Sequence, residues 1–331
     1  MRTIANELEG ITVGAPAHFG SLTIFPLLRA GGAGDEPDYM LLEEAIALGT
    51  ARVTELGIGG SVPELRFENL GEKPVLLFDG EELIGAKQNR TVNLTILAPP
   101  KQSIVIPVSC VEAGRWRAES EEFRPACHIM YSRARAERAE QVTFSIATSG
   151  ARQSNQGAVW DEIAAKSERM GTASPTQAMA AMYDSHAVSI DAYLHAFTWA
   201  EHQAGVLFAV GPQALGVDLL DRPETMRKAF PKFLRSYALD AVETPRSAPL
   251  GMSEATAFLA HVGGATPMTQ PAIGMGKDVR LTGGGISGAA LWAEQRYIHL
   301  CAFTTDGNGS PAGLQTRISR PRRRRAEREK G

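Results

Sequence analysis

Residues 80–116 read GEELIGAKQNRTVNLTILAPPKQSIVIPVSCVEAGRW, and they crowd Glu81, Glu82, Lys87, Gln88, Asn89, Arg90, Asn93, Glu112 and Arg115 among strong strand formers. Amide and guanidinium groups placed this way are costly unless they satisfy one another or a ligand. Lys87 and Arg90 flank two amides, so donors outnumber acceptors. That chemistry suits a phosphate, a carboxylate or a nucleobase edge, and arginine offers a planar fork for two-point binding. Glu81 and Glu82 lie just upstream, where a carboxylate beside a basic pair can act as a general base or ligate a metal. Two readings stay open. In one, the block is a pocket. Glu81 or Glu82 is then catalytic, and Lys87, Gln88, Asn89, Arg90, Asn93, Glu112, Arg115 and Trp116 bind the ligand. In the other, Glu81 or Glu82 pairs with Arg90 or Arg115 in a structural network, within a non-catalytic module whose partner is a protein.

A second polar cluster, Arg152-Gln153-Ser154-Asn155-Gln156, precedes the start of a helix, where backbone N–H groups favour anions. Convergence of the two clusters in space would favour the pocket. The other chemical candidates are weaker. Cys110 ends an apolar strand and reads as a buried structural thiol. Cys127 and His128 are neighbours in sequence, which says little about their geometry. His186, His195 and His202 are spaced too widely to chelate one ion, so no metal is expected, and the cofactor is left unknown. Residues 283–288 match G-x-G-x-x-G by letter, but strand-like sequence follows where a dinucleotide fold needs a helix.

Several elements must position these groups. Residues 21–28, 51–56, 62–69, 74–79, 90–98 and 103–111 carry β-branched residues between turn signals and read as strands. A helix with one apolar stripe interrupts them at 40–48. Downstream, residues 134–141 read as a charged, exposed helix and 158–170 as a short amphipathic one. Ser174-Pro175-Thr176-Gln177 reads as a capping box opening a single helix to about residue 199. A strand pair spans 205–220, and Pro231 should kink or divide the helix that follows. Residues 253–264 form a last short helix, and the closing strands end in a hairpin turning near Glu294. The expected fold is α+β: a β-rich N-terminal sandwich or partly closed barrel, with helices and a second small sheet packed on it. Residues 1–310 form one domain, β-rich over 11–125 and mixed over 126–310.

Composition is that of a globular chain, with 44% hydrophobic and 21% charged residues in 331. There is no unbroken apolar run of membrane-spanning length and no signal-peptide core. Three cysteines without metal-type spacing point to a reduced, cytoplasmic protein that makes no membrane contact. The net charge of −3 hides an asymmetry: 317–330 carry eight basic and two acidic residues, so the remainder carries 26 positive and 35 negative charges. Residues 311–331 are expected to be a disordered basic tail, suited at most to weak contact with nucleic acid or an acidic partner.

Four segments in order, GEELIGAKQNRTVN, IPVSCVEAGRW, QGAVWDEI and AGVLFAVGPQALGVDLLDRPETM, resemble the bacterial ADP-ribosylglycohydrolase-and-rhodanese-phosphatase-superfamily-associated protein domain family. The resemblance covers about residues 11–303. It implies an association with ADP-ribose or NAD-derived metabolism through neighbouring enzymes, not a mechanism. The matching residues are Glu81, Glu82, Gly85, Gln88, Asn89, Arg90, Cys110, Glu112, Arg115 and Trp116. The expected function is binding of a small phosphate-bearing, nucleotide-like ligand; if the protein is an enzyme, it is expected to be a hydrolase acting on an ADP-ribose-like or phosphate-ester substrate.

Overall fold

A computed structural model of the chain describes residues 1–30, 36–57 and 60–305. The expected basic tail, 311–331, lies outside the described residues. The architecture is mixed α+β, built on a closed barrel, a nine-stranded sheet and a three-stranded sheet. Among the described residues no helix is long and apolar enough to cross a membrane.

The barrel runs in the order Gln102–Cys110, Glu64–Asn69, Ala51–Glu55, Glu122–Ile129, Glu81–Gly85 and Arg90–Val92, and the last strand pairs back onto the first. Alternation explains why these segments close. Leu65 and Phe67 are fully buried while Glu64 and Arg66, which alternate with them, are exposed, as a pleated strand requires. With Val53, Leu83, Val92, Ile106 and Val108 they fill the interior with side chains, as expected of so small a barrel. Of the two expectations, sandwich or partly closed barrel, the barrel is the architecture found, and it is closed.

The expected small sheet is the three-stranded one, Ile96–Ala98, Val75–Leu77 and Met40–Leu41; beside it stands a larger, nine-stranded sheet. The larger sheet places Leu22–Arg29 beside Gln203–Val210, then Gln213–Leu220, Arg296–Thr304, Ile286–Ala293, Lys277–Gly283 and Thr266–Pro271. Its last hairpin turns at Glu294 and Gln295, both left-handed (φ 48° and 60°), which matches the strand twist of a two-residue turn. Within 283–288, Gly284 and Gly285 form a turn between two strands, and Ile286–Gly288 begin the second of them, with no helix following.

Three expectations about elements need correction. The run 90–98 is two strands: Arg90–Val92 belongs to the barrel and Ile96–Ala98 to the three-stranded sheet. The stretch 174–199 is not one helix but two, Ala180–Ser185 and Ala187–Ala196: left-handed Gln177 (φ 54°) delays the start, and non-helical His186 (φ −111°, ψ 17°) separates them. Pro231 does not divide its helix, which runs unbroken over Pro223–Glu243.

The helix Ser132–Ser149 is longer than expected and is not a solvated element. Arg135 and Arg138 are fully buried in it. Arg135 grips Asp218 with both terminal nitrogens, at 2.7 and 3.0 Å, and its Nε donates to Asp79 at 3.3 Å. Arg138 donates to Asp79 at 2.9 Å and to the Thr91 hydroxyl at 2.9 Å. Asp79 and Thr91 come from the barrel side and Asp218 from the large sheet, so two guanidinium groups tie the layers together. Burial disfavours the Asp218 carboxylate, but Arg135 and His299 hold it at about 2. That folded value lies below the unfolded one. The pairing therefore stabilises the fold above about pH 4 and loses its contribution as pH falls toward about 2. Urea midpoints should stay level down to about pH 5 and then drop, and Asp218→Asn should flatten that drop. An unchanged acid limb in Asp218→Asn would show that other carboxylates set it.

Candidate functional site

The turn between Glu81–Gly85 and Arg90–Val92 is tight because Gly85 sits at φ 130° against the next strand. A Cβ there would lie 2.9 Å from the Glu122 carbonyl oxygen and 2.6 Å from Ser120 Oγ, so only glycine fits without displacing backbone. The turn delivers Lys87, Gln88, Asn89 and Arg90 to one end of the barrel, beside the strand end at Cys110 and the loop carrying Glu112, Arg115 and Trp116.

Most of these side chains are buried and bound to one another. Arg115 donates to Glu112 Oε2 (2.6 and 2.9 Å), to Asn89 Oδ1 (3.1 Å) and to the carbonyls of Ala86 (2.7 Å), Arg117 (3.1 Å) and Gly85 (3.3 Å). The Asn89 backbone N–H donates to the same Glu112 oxygen at 3.0 Å. Burial raises the Glu112 carboxyl, but Arg115, Thr176 and that N–H more than offset it and hold the group below its usual range. This half of the block is a satisfied network that pins the 112–117 loop to the barrel.

Arg90 differs. It is fully buried, yet only Nη1 finds partners: the Gln88 carbonyl at 3.1 Å, Gln88 Oε1 at 3.2 Å and, marginally, the Asn89 carbonyl. Among the described residues its Nε and Nη2 have no hydrogen-bond partner. Burial weakens its hold on its proton, against the opposing pull of Cys110, Glu55 and Glu112. The Trp116 ring, 50% exposed, is the outermost part of this corner. The Arg90 guanidinium carbon lies 5.7 Å and Lys87 Nζ 5.3 Å from the ring centroid, within cation–π range.

The second cluster joins the first. Gln156 brackets Cys110 like an added strand rung, accepting from its N–H and donating to its carbonyl, both at 2.8 Å. Ser154 and Ser109 share a hydroxyl contact of 2.6 Å, Ser109 donates to Asn93 Oδ1 at 2.6 Å, and Asn93 donates to the Arg152 carbonyl at 3.0 Å. Cys110 is buried, with its thiol 3.2 Å from Gln88 Oε1, and burial pushes it above the usual thiol range.

The two acidic candidates part company. Glu81 faces the layer interface, where Lys232 donates to it at 2.6 Å and the Phe78 N–H at 3.0 Å. Neither Glu81 nor Glu82 pairs with Arg90 or Arg115. Glu82 accepts from Asn89 Nδ2 at 3.3 Å and meets His128 Nε2 at 2.6 Å. His128 stacks on Tyr183, with centroids 3.6 Å apart and planes 11° from parallel. Sequence gave these two rings no weight, because Glu82 and His128 lie on neighbouring strands but 46 positions apart.

Among the described residues one donor set, Asp218, His299 and Cys301, is close enough to hold a single ion, all within 4.8 Å. Its chemistry is that of a salt bridge instead. Arg135 covers both Asp218 oxygens, and burial pushes the Cys301 thiol up to about 12, so it stays protonated. No curated protein and no solved structure matches the chain. A family model does, over residues 10–303, and the chain belongs to the ARG and Rhodanese-Phosphatase-superfamily-associated Protein domain family.

Proposed function

We propose that this protein binds a small phosphate-bearing, nucleotide-like anion at the barrel corner formed by Arg90, Lys87 and Trp116. One observation carries the reading: Arg90 is buried with two donor nitrogens unpaired among the described residues, while Arg115 beside it has all of its nitrogens engaged. Buried donors are almost always satisfied, and an anion is the natural complement to a guanidinium fork. Trp116 is the exposed cover over that fork, so the ligand reaches Arg90 when the indole swings aside. The freed ring then offers a face to a base. The family's link to ADP-ribose chemistry makes ADP-ribose the first ligand to try.

Binding is favoured over hydrolysis. Glu81 is held by Lys232, Glu82 by His128 and Asn89, and Glu112 by Arg115. None of these three acids is left to act as a base. The rival reading, a protein-assembly module with a purely structural block, is favoured by the saturated Arg115–Glu112–Asn89 half of the cluster.

Thermal unfolding with ADP-ribose, NAD and simple phosphate esters at millimolar concentration separates the two. A ligand at about 100 times its Kd stabilises by about 2.7 kcal/mol, a rise of several degrees in Tm for a chain of this size. Arg90→Ala should abolish that rise while the variant still unfolds cooperatively. Should none of these anions move the wild-type midpoint, the assembly reading takes its place.

A further inference from the structure

Glu55 ends the barrel strand Ala51–Glu55, beside the turn that carries Lys87 and Arg90. The register places it there: Phe123 lies opposite Val53 on one side and Gly85 on the other. Glu55 Oε1 accepts from the Lys87 backbone N–H, a long bond of 3.4 Å. Oε2 is buried and, among the described residues, has no hydrogen-bond partner. A Cβ built on Gly60 would lie 3.2 Å from Glu55 Oε2 and 3.3 Å from Lys87 Nζ, so both groups border the space that the glycine leaves empty. Lys87 Nζ lies 5.3 Å from the Trp116 ring centroid, and the Arg90 guanidinium carbon 5.7 Å from the same centroid. Glu55, Lys87, Trp116 and Arg90 are thus successive neighbours at one barrel end. Burial weakens the hold of Arg90 on its proton, and the charge of Glu55, after that of Cys110, opposes the effect.

Arg90 lacks acceptors and Glu55 lacks a donor, and among the described residues the two form no ion pair with each other. Buried polar atoms are costly while unmatched. One ligand that completes both must present an anion to Arg90 and hydrogen-bond donors to Glu55. Those donors are neutral, because the Lys87 ammonium already neighbours Glu55 and a second cation would be repelled by Lys87 and Arg90. Hydroxyl groups meet the need. An ionised carboxylate only accepts, and acidic side chains take ribose hydroxyls in this way in dinucleotide sites. We propose that Glu55 determines the specificity of the corner, accepting hydrogen bonds from sugar hydroxyls so that sugar phosphates bind in preference to other phosphate esters. This role rests on the anion reading of Arg90 and adds to it the class of molecule bound. Arg90 holds the phosphate, Glu55 reads the sugar, and no covalent bond is made or broken.

Ribose 5-phosphate and n-butyl phosphate carry the same phosphate group, and only the first has hydroxyls. Isothermal titration of the full chain should show ribose 5-phosphate binding about tenfold more tightly, the worth of one hydrogen bond to a charged group. Glu55→Ala should lower the affinity for ribose 5-phosphate to that for butyl phosphate. Should Glu55→Ala not fold, Glu55→Gln decides: its neutral acceptor should shrink the preference severalfold, and an undiminished preference overturns the role of Glu55. Equal binding of the two esters by the wild type overturns that role while the anion reading of Arg90 stands. A preference that survives Glu55→Ala, or an equal loss for both esters in that variant, overturns it too. If neither ester binds the wild type, the anion reading fails and the role of Glu55 with it.

Discussion

Arg135→Met should lower the free energy of unfolding by about 3–5 kcal/mol, the cost of stranding a buried carboxylate. Asp218 is fully buried, and its two strongest bonds come from this one guanidinium. Tyr237 and His299 also reach it, both at 3.2 Å, but neither carries a permanent charge. Asp79 suffers less, because Arg138 still donates to it. The Arg135 guanidinium also lies 4.7 Å from the Phe303 ring centroid, and methionine preserves part of that packing. The loss should appear as a lower urea midpoint at unchanged slope. Replacing Asp218 by Leu in the same chain should recover much of it, since a hydrophobic pair of similar volume often equals a buried ion pair. A loss below about 1 kcal/mol would mean that the layers are joined by apolar packing alone.

Arg115→Ala should be comparably damaging, by about 3–5 kcal/mol, and for the same class of reason. Its fork is saturated by Glu112, Asn89 and three carbonyls, and removing it leaves a buried acid and several acceptors unmatched. Arg90→Ala, a few ångströms away, removes a side chain whose Nε and Nη2 were never matched. It should cost clearly less. The contrast between two arginines at one barrel end is the measurement: urea unfolding of both variants, side by side. Equal losses would place Arg90 in the structural network and count against the anion corner.

The strands were legible because turn residues punctuate them and alternation marks their faces, as at Leu65 and Phe67. Whether they closed into a barrel was not legible, since closure depends on Arg90–Val92 meeting the end of Gln102–Cys110, a pairing that leaves no trace in periodicity. The polar block was legible as a cluster, and so was its junction with residues 152–156. What hid was the difference among its members. Arg90 and Arg115 read alike as letters, yet one is saturated and the other is not. Arg135 and Arg138 were mistaken for a solvated face because their partners are remote; Asp218 lies 83 positions from Arg135.

The strand Leu22–Arg29 lies between Ile11–Val13 and Gln203–Val210 in the large sheet, and its principal partner emerges from the ribosome some 180 residues later. The barrel strands, Ala51–Glu55 to Glu122–Ile129, are all made in between. During synthesis, then, the barrel can close while an apolar strand edge at the amino end waits unpaired. Such long-range pairing is slow to form, and an unpaired edge attracts other chains. Translation rate and chaperone supply should therefore govern the soluble yield of this chain more than the intrinsic stability of its finished fold.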